Sequence, residues 1–208
     1  MEHFRPVRGL GLAASVLIGL TALGNVAEAA VGWFTWSTAG DLWAGTATPA
    51  DLRNADVANV LVDWPLTLLT LVTIGVFLTW LYNARINAER LSPEAEHRHS
   101  RVWVWLGWLV PVVNLWYPKQ VVEDIWQAGS PPSRTISKWW TAYLLMWLFD
   151  FAYVRFYVNG RLTMDSFLIA ATFSTISAVV GILAAVLAVR IVRQISDFQS
   201  TPVPSSSD

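Results

Sequence analysis

The residues of this chain that could do chemistry are few and oddly placed. Asp150 lies in "LLMWLFDFAYV", the middle of an apolar run. A carboxylate inside a membrane span is costly and is read first as a functional group, such as a proton or ion carrier. The plainer reading is an acid that fastens helices by a hydrogen bond. Arg155 follows five residues later, about 140° round a helix, and is a poor direct partner. Asn25 and Glu28, spaced i,i+3 in another apolar run, form a second polar pair with the same two readings.

A third group sits in "VPVVNLWYPK", residues 110–119, where Pro111, Asn114 and Pro118 interrupt an apolar segment. Each proline removes a backbone donor and leaves a carbonyl one turn earlier without its helical partner. The Asn114 amide is expected to satisfy one of those freed groups. Pro118 suits the first turn of a helix whose positive end, beside Lys119, could hold an anion. Lys119, Arg85 and Trp116 are therefore candidate contacts to an anionic phospholipid headgroup.

His97 and His99 stand in "EAEHRHS". Their i,i+2 spacing puts the imidazoles on different faces of a helix, and no cysteine is present anywhere. No metal site and no cofactor are expected. The sequence also shows no P-loop, H-E-x-x-H, G-x-S-x-G or strand–glycine–helix dinucleotide fingerprint. The expectation is a non-enzymatic protein.

The elements that must position these residues are membrane helices. Of 208 residues, 54% are hydrophobic and only 14% charged, where a soluble domain carries nearer a quarter. The net charge of −1 gives no electrostatic reason to expect nucleic acid. Apolar blocks at about 9–34, 60–82, 139–158 and 167–189 are each near the 20 residues needed to cross hydrocarbon as a helix. The first block is expected to remain as a span, although "AEA" at 27–29 fits a signal-peptide cleavage pattern. Residues 35–63 read as a polar connection in which Thr48 caps a helix beginning at Pro49. Pro65 is expected to kink the start of the second span. That helix should run two turns past Tyr82, with Arg85 and Glu89 spaced i,i+4, and break near Ser92-Pro93.

The remaining apolar stretch, 102–117, is 16 residues, about 24 Å of helix, against a hydrocarbon core of roughly 30 Å. Basic residues favour the cytoplasmic side in short loops. If this stretch does not cross, all but Arg53, Arg155 and Arg161 of the fourteen basic residues lie inside. If it crosses, the bias nearly vanishes. The expected fold is thus all-α and polytopic: four transmembrane helices plus a broken re-entrant or interfacial segment at 102–126. Both termini are cytoplasmic, and residues 194–208 form a disordered tail. A kinked fifth span is the competing reading.

The 13 tryptophans suit interface anchoring. A stripe of small residues (Ala171, Ser174, Ala178, Gly181, Ala185, Ala188) marks a close helix seam, within one chain or between copies. Gly11, Ser15, Gly19, Ala22 and Asn25 are its expected mate.

Two stretches carry a resemblance. "FLTWLYNARINAERLSP" (77–93) and "SRVWVWLGWLVPVVNLWYPKQVVEDIWQAGSPP" (100–132) resemble a family of bacterial membrane proteins typical of actinobacteria. It is number 4328 among the domains of unknown function. Trp80, Arg85, Asn87, Pro111, Asn114, Pro118 and Trp126 match its pattern, whereas Asn83 stands where a basic residue is expected. The resemblance implies a multi-helix membrane protein and supplies no activity. The leading expectation is an interaction or accessory protein of the bacterial cytoplasmic membrane, with the lipid bilayer, an anionic phospholipid and a homo-oligomer or membrane-protein partner as candidates. The second is a small transporter or channel using Asp150 and the broken segment.

Overall fold

The computed structural model describes residues 5–94, 97–157 and 163–200. Six α-helices follow one another: α1 (Arg8–Trp43), α2 (Pro49–Leu91), α3 (Trp103–Leu109), α4 (Tyr117–Gln127), α5 (Arg134–Tyr157) and α6 (Met164–Ser200). A single 3-10 turn, Val113–Leu115, separates α3 from α4. No strand occurs among the described residues.

Three helices are long and apolar enough to cross a membrane: α1, α2 and α6. The fourth expected span, 139–158, is not among them. It forms a helix of 24 residues, but Lys138, Asp150 and Arg155 interrupt it. Much of its bulk is Trp and Tyr, whose polar N–H and O–H groups raise the cost of leaving water. Its last expected residue, Val158, lies outside the described residues.

Helical structure exceeds the sequence-based expectation at several points. The polar connection expected over 35–63 shrinks to 44–48, because α1 continues to Trp43 and α2 already begins at Pro49. The α2 start is as expected: the Asp51 carboxylate accepts from the Thr48 backbone N–H at 2.8 Å and from its hydroxyl at 2.7 Å. Both bonds run from Thr48 to Asp51, and with the Asp51 N–H on the Thr48 carbonyl at 3.0 Å they fix the first turn. Pro65 does not interrupt α2, which is helical throughout. Only one carbonyl loses its partner there, a cost spanning helices tolerate. The tail expected from 194 is helical to Ser200; residues 201–208 lie outside the described residues. Helix α6 keeps its register past the apolar block because Ile195 and Gln199 are buried.

The broken segment is broken as expected. No piece of it exceeds the 11 residues of α4, about 17 Å of helix, too short to cross hydrocarbon. α4 is amphipathic, with Val121, Val122, Ile125 and Trp126 buried.

The chain divides into two compact units. The first comprises Met1–Leu17, Thr73–Lys138 and Leu187–Asp208; the second comprises Ile18–Val72 and Trp139–Val186. The first unit has a dense core in which Trp80, Leu81, Ile125, Ile136 and Ile195 are fully buried. Gly11 lies so close to the Ser196 hydroxyl that no side chain would fit between them. In the second unit the small-residue stripe packs within the chain. Ala171 meets Gly32, and Gly181 meets Met146 and Asn25. The mate on α1 is therefore a stripe through Asn25 and Gly32, while Gly19 faces open space. Leu23, Leu61, Trp64, Leu68, Leu71, Phe151 and Val179 of this unit are exposed. So much outward apolar surface calls for hydrocarbon around it.

Candidate functional site

The C-terminal end of α2 divides its residues between two faces. Trp80, Ala84 and Asn87 recur at helical spacing on one of them. The Trp80 indole donates to Ser196 Oγ at 3.0 Å. The Ala84 carbonyl accepts from Gln199 Nε2 at 2.9 Å. Asn87, fully buried, accepts from the Arg5 backbone N–H and donates to the Arg5 carbonyl, each at 2.9 Å, and its amide also reaches Gln199 Oε1 at 3.4 Å. One side chain thus pairs both backbone groups of Arg5. The Arg5 guanidinium donates to Asn83 Oδ1 at 3.1 Å. The position where a basic residue was expected is an acceptor for a basic residue from the chain start.

Arg85 and Glu89 occupy the other face. Arg85 is 2% exposed. Its Nε donates to Glu89 at 2.8 Å and one terminal nitrogen donates to the His99 carbonyl at 2.7 Å. Its other terminal nitrogen lies 3.9 Å from Asp124 without a hydrogen bond. Arg101 closes on Glu89 at 2.6 Å. Arg98 takes Asp124 twice, by its backbone N–H at 3.0 Å and its Nε at 2.8 Å, and reaches Glu123 at 3.0 Å. Lys119 pairs with Glu123 at 3.2 Å. The His99 ring stacks on Tyr117 at 3.8 Å, and its Nε2 lies 2.6 Å from Gln120 Oε1. Residues 97–101 are strapped to α4 and to the end of α2 by this network.

The electrostatics follow from it. Burial pushes the Glu89 carboxyl up, but hydrogen bonds from Arg101 and Arg85 outweigh burial and hold it below the usual glutamate range. Burial, then the Arg85 charge, push the His97 imidazole below its ordinary value. Burial disfavours the Arg98 charge, yet Asp124 and Glu123 more than offset this. Opposite charges within hydrogen-bond reach favour the charged forms.

Several expected sites are relocated by this arrangement. Arg85 is not a headgroup contact, since it is buried and paired. Lys119 is engaged by Glu123 on the next turn. Trp116 remains exposed, as does Leu109 at 73%. Asn114 does not repair the broken backbone: its Oδ1 is buried without a hydrogen-bond partner. Its backbone N–H meets the Val110 carbonyl at 2.8 Å, which keeps one turn of hydrogen bonding between the two prolines. Among the described residues, no group of three His, Cys, Asp or Glu could hold a metal ion.

In the second unit, Ser177 Oγ on α6 donates to Asp150 Oδ1 on α5 in a very short hydrogen bond. The same hydroxyl approaches the Met146 carbonyl at 3.3 Å. Asp150 therefore fastens α5 to α6. It also lies close enough to Glu28 of α1 for their charges to interact, as does Asp63 of α2. Asp63 Oδ1 is buried without a hydrogen-bond partner. Asn25 points elsewhere, to Gly181.

Sequence reading missed Asp124, Asp63, Ser196 and Gln199. Asp124 carried a legible signal, because it falls i+3 from Val121 on the apolar face of α4. Ser196 and Gln199 lay in the stretch assigned to a tail.

Residues 44–197 match the family described as Domain of unknown function (DUF4328). The chain belongs to the DUF4328 family. No curated protein and no solved structure matches it. The DUF4328 region covers the capped start of α2, the ionic network and nearly all of α6. It excludes Arg5 and Gln199, the two partners of Asn87.

Proposed function

We propose that this DUF4328 protein is a non-enzymatic interaction or accessory protein of the bacterial cytoplasmic membrane. In this reading α5 is a fourth span beside α1, α2 and α6, and both termini are cytoplasmic. The segment 102–126 lies at the inner interface. The observation that carries it is the fate of the polar residues that match the family pattern. Trp80, Arg85 and Asn87 all pair inside the chain, so they build a scaffold and offer no open reactive group. The outer face of the broken segment, with Leu109, Val112, Leu115 and Trp116 exposed, supplies an apolar surface for lipid or a membrane partner. Purified protein in sealed vesicles tests the reading. It expects no solute or proton flux above empty vesicles, and specific flux would overturn it.

A second reading is a small cation- or proton-coupled transporter. A carboxyl at Asp150 inside an apolar helix, near enough to Glu28 for their charges to interact, favours it. It requires that vesicles dissipate an imposed pH gradient and that Asp150→Asn abolishes this. Failure of the unaltered protein to dissipate the gradient removes this reading.

A further inference from the structure

The cations of the ionic network are all paired, but two arginines of the same unit are not. Arg190 and Arg193 stand one turn apart at the inner end of α6, exposed, and neither forms an ion pair with a described residue. Both line a cavity of about 570 Å³ together with Ser130, Thr135, Gln194 and Asp197. An adjoining cavity of about 520 Å³ shares Arg193 and Asp197 and adds Arg8 from the start of α1.

The walls are held in place by close packing. Gly129 lies flat against the Phe198 ring, with no room for a side chain, which sets Ser130 beside α6. The Ser133 hydroxyl caps the start of α5 by accepting from the Thr135 N–H at 3.1 Å, which fixes Thr135 at the rim. Trp80 holds Ser196 one residue before Asp197.

We propose that this arginine-lined cavity binds a phosphate ester of net negative charge. Guanidinium groups match phosphate oxygens with paired, parallel N–H donors. The hydroxyls of Ser130 and Thr135 and the Gln194 amide add neutral donors. Asp197 adds a carboxylate to the wall, beside the oxygens of the hydroxyls and the amide. The apolar run of α6 ends at Val189, just before Arg190. That is the depth at which lipid phosphates lie, and the cavity also opens to soluble esters.

The full chain, purified in a neutral detergent, is titrated by calorimetry with three probes: dioctanoyl phosphatidylglycerol, dioctanoyl phosphatidylcholine and inorganic phosphate. Saturable binding of phosphatidylglycerol or inorganic phosphate is expected, weakened at least tenfold in Arg190→Gln/Arg193→Gln and unchanged in Arg53→Gln. Phosphatidylglycerol alone identifies a lipid headgroup; inorganic phosphate as well identifies a soluble ester. Both arginines are exposed, and an unchanged melting temperature of the double variant separates lost binding from lost fold. If the double variant melts early, the single variants are used in its place. No saturable binding, undiminished binding by the variants, or equal binding of phosphatidylcholine would overturn the proposal.

Discussion

Arg98 grips Asp124 at both carboxylate oxygens, using its backbone N–H for one (3.0 Å) and its side-chain Nε for the other (2.8 Å). The Asp124 side chain is 6% exposed. For a carboxylate so buried, donors from the strap offset the cost of leaving water. The strap at 97–101 is thereby anchored to α4 from both main chain and side chain.

Asp124→Asn should therefore loosen the strap without unfolding the helices. A lost charge-assisted hydrogen bond costs about 1.5–3 kcal/mol. Arg98→Gln should cost less, because the backbone bond remains. The double variant should fall short of the sum of the two. Thermal unfolding in detergent, followed by tryptophan fluorescence, measures all three. Full additivity would mean that the two side chains do not act through each other.

Acid should act on the same network in two steps. His97 has a lowered pKa in the folded chain, so its stabilisation is complete above the unfolded value of about 6.5 and declines as pH falls below it. Glu89 is also lowered, and its contribution is present above about 4.3 and lost as pH falls through its folded value. Both move stability in the same direction. The melting temperature should drop from pH 7 to pH 5, and His97→Gln should flatten that first decline while leaving the lower one.

Asn87→Leu should release the chain start. Two backbone groups of Arg5 lose their partners together. Amide hydrogen exchange near residues 5–8 should rise strongly while exchange in the middle of α2 stays slow. Protection at Arg5 equal to that of the unaltered chain would show that the pairing does not hold in the membrane.

Asp150 makes a sharper test of fastening against proton carriage. Asp150→Asn keeps an acceptor for Ser177, whereas Asp150→Leu removes it. If fastening is its role, the Asn variant should melt within a few degrees of the unaltered protein. The Leu variant should lose on the order of 1–3 kcal/mol. Equal melting of both variants would remove the structural role.

Topology can be read directly because the chain has no cysteine of its own. A cysteine at Thr46 should react with an impermeant maleimide from outside intact cells. A cysteine at Ser130 should react only after lysis. Labelling of Ser130 from outside would make 102–117 a crossing segment.

The broken segment was legible in the sequence because proline acts locally: Pro111 and Pro118 deny donors at fixed positions, whatever the surroundings. Thr48 and Asp51 were legible for the same reason. The long helices were underestimated because their ends are held by tertiary partners. The Arg85–Glu89 pair was legible as an i,i+4 spacing within "NARINAER", but the burial of Arg85 was not, since the His99 carbonyl and Asp124 that close over it lie far along the chain. Gln199 read as part of a tail since its value depends on Ala84 and Asn87. Polar residues that pair at long range leave no periodic trace.

The two partners of Asn87 lie 82 residues before it and 112 residues after it. A ribosome makes Arg5 before Asn87, and Gln199 well after both. This junction therefore closes only when α6 has been made to its final turn. A product cut short before Gln199 would keep its apolar helices and the pairing of Asn87 with Arg5, yet lose the amide that ties the end of α6 to the Ala84 carbonyl. The last turn of α6 is thus the closing piece that joins both flanks of the unit to α2.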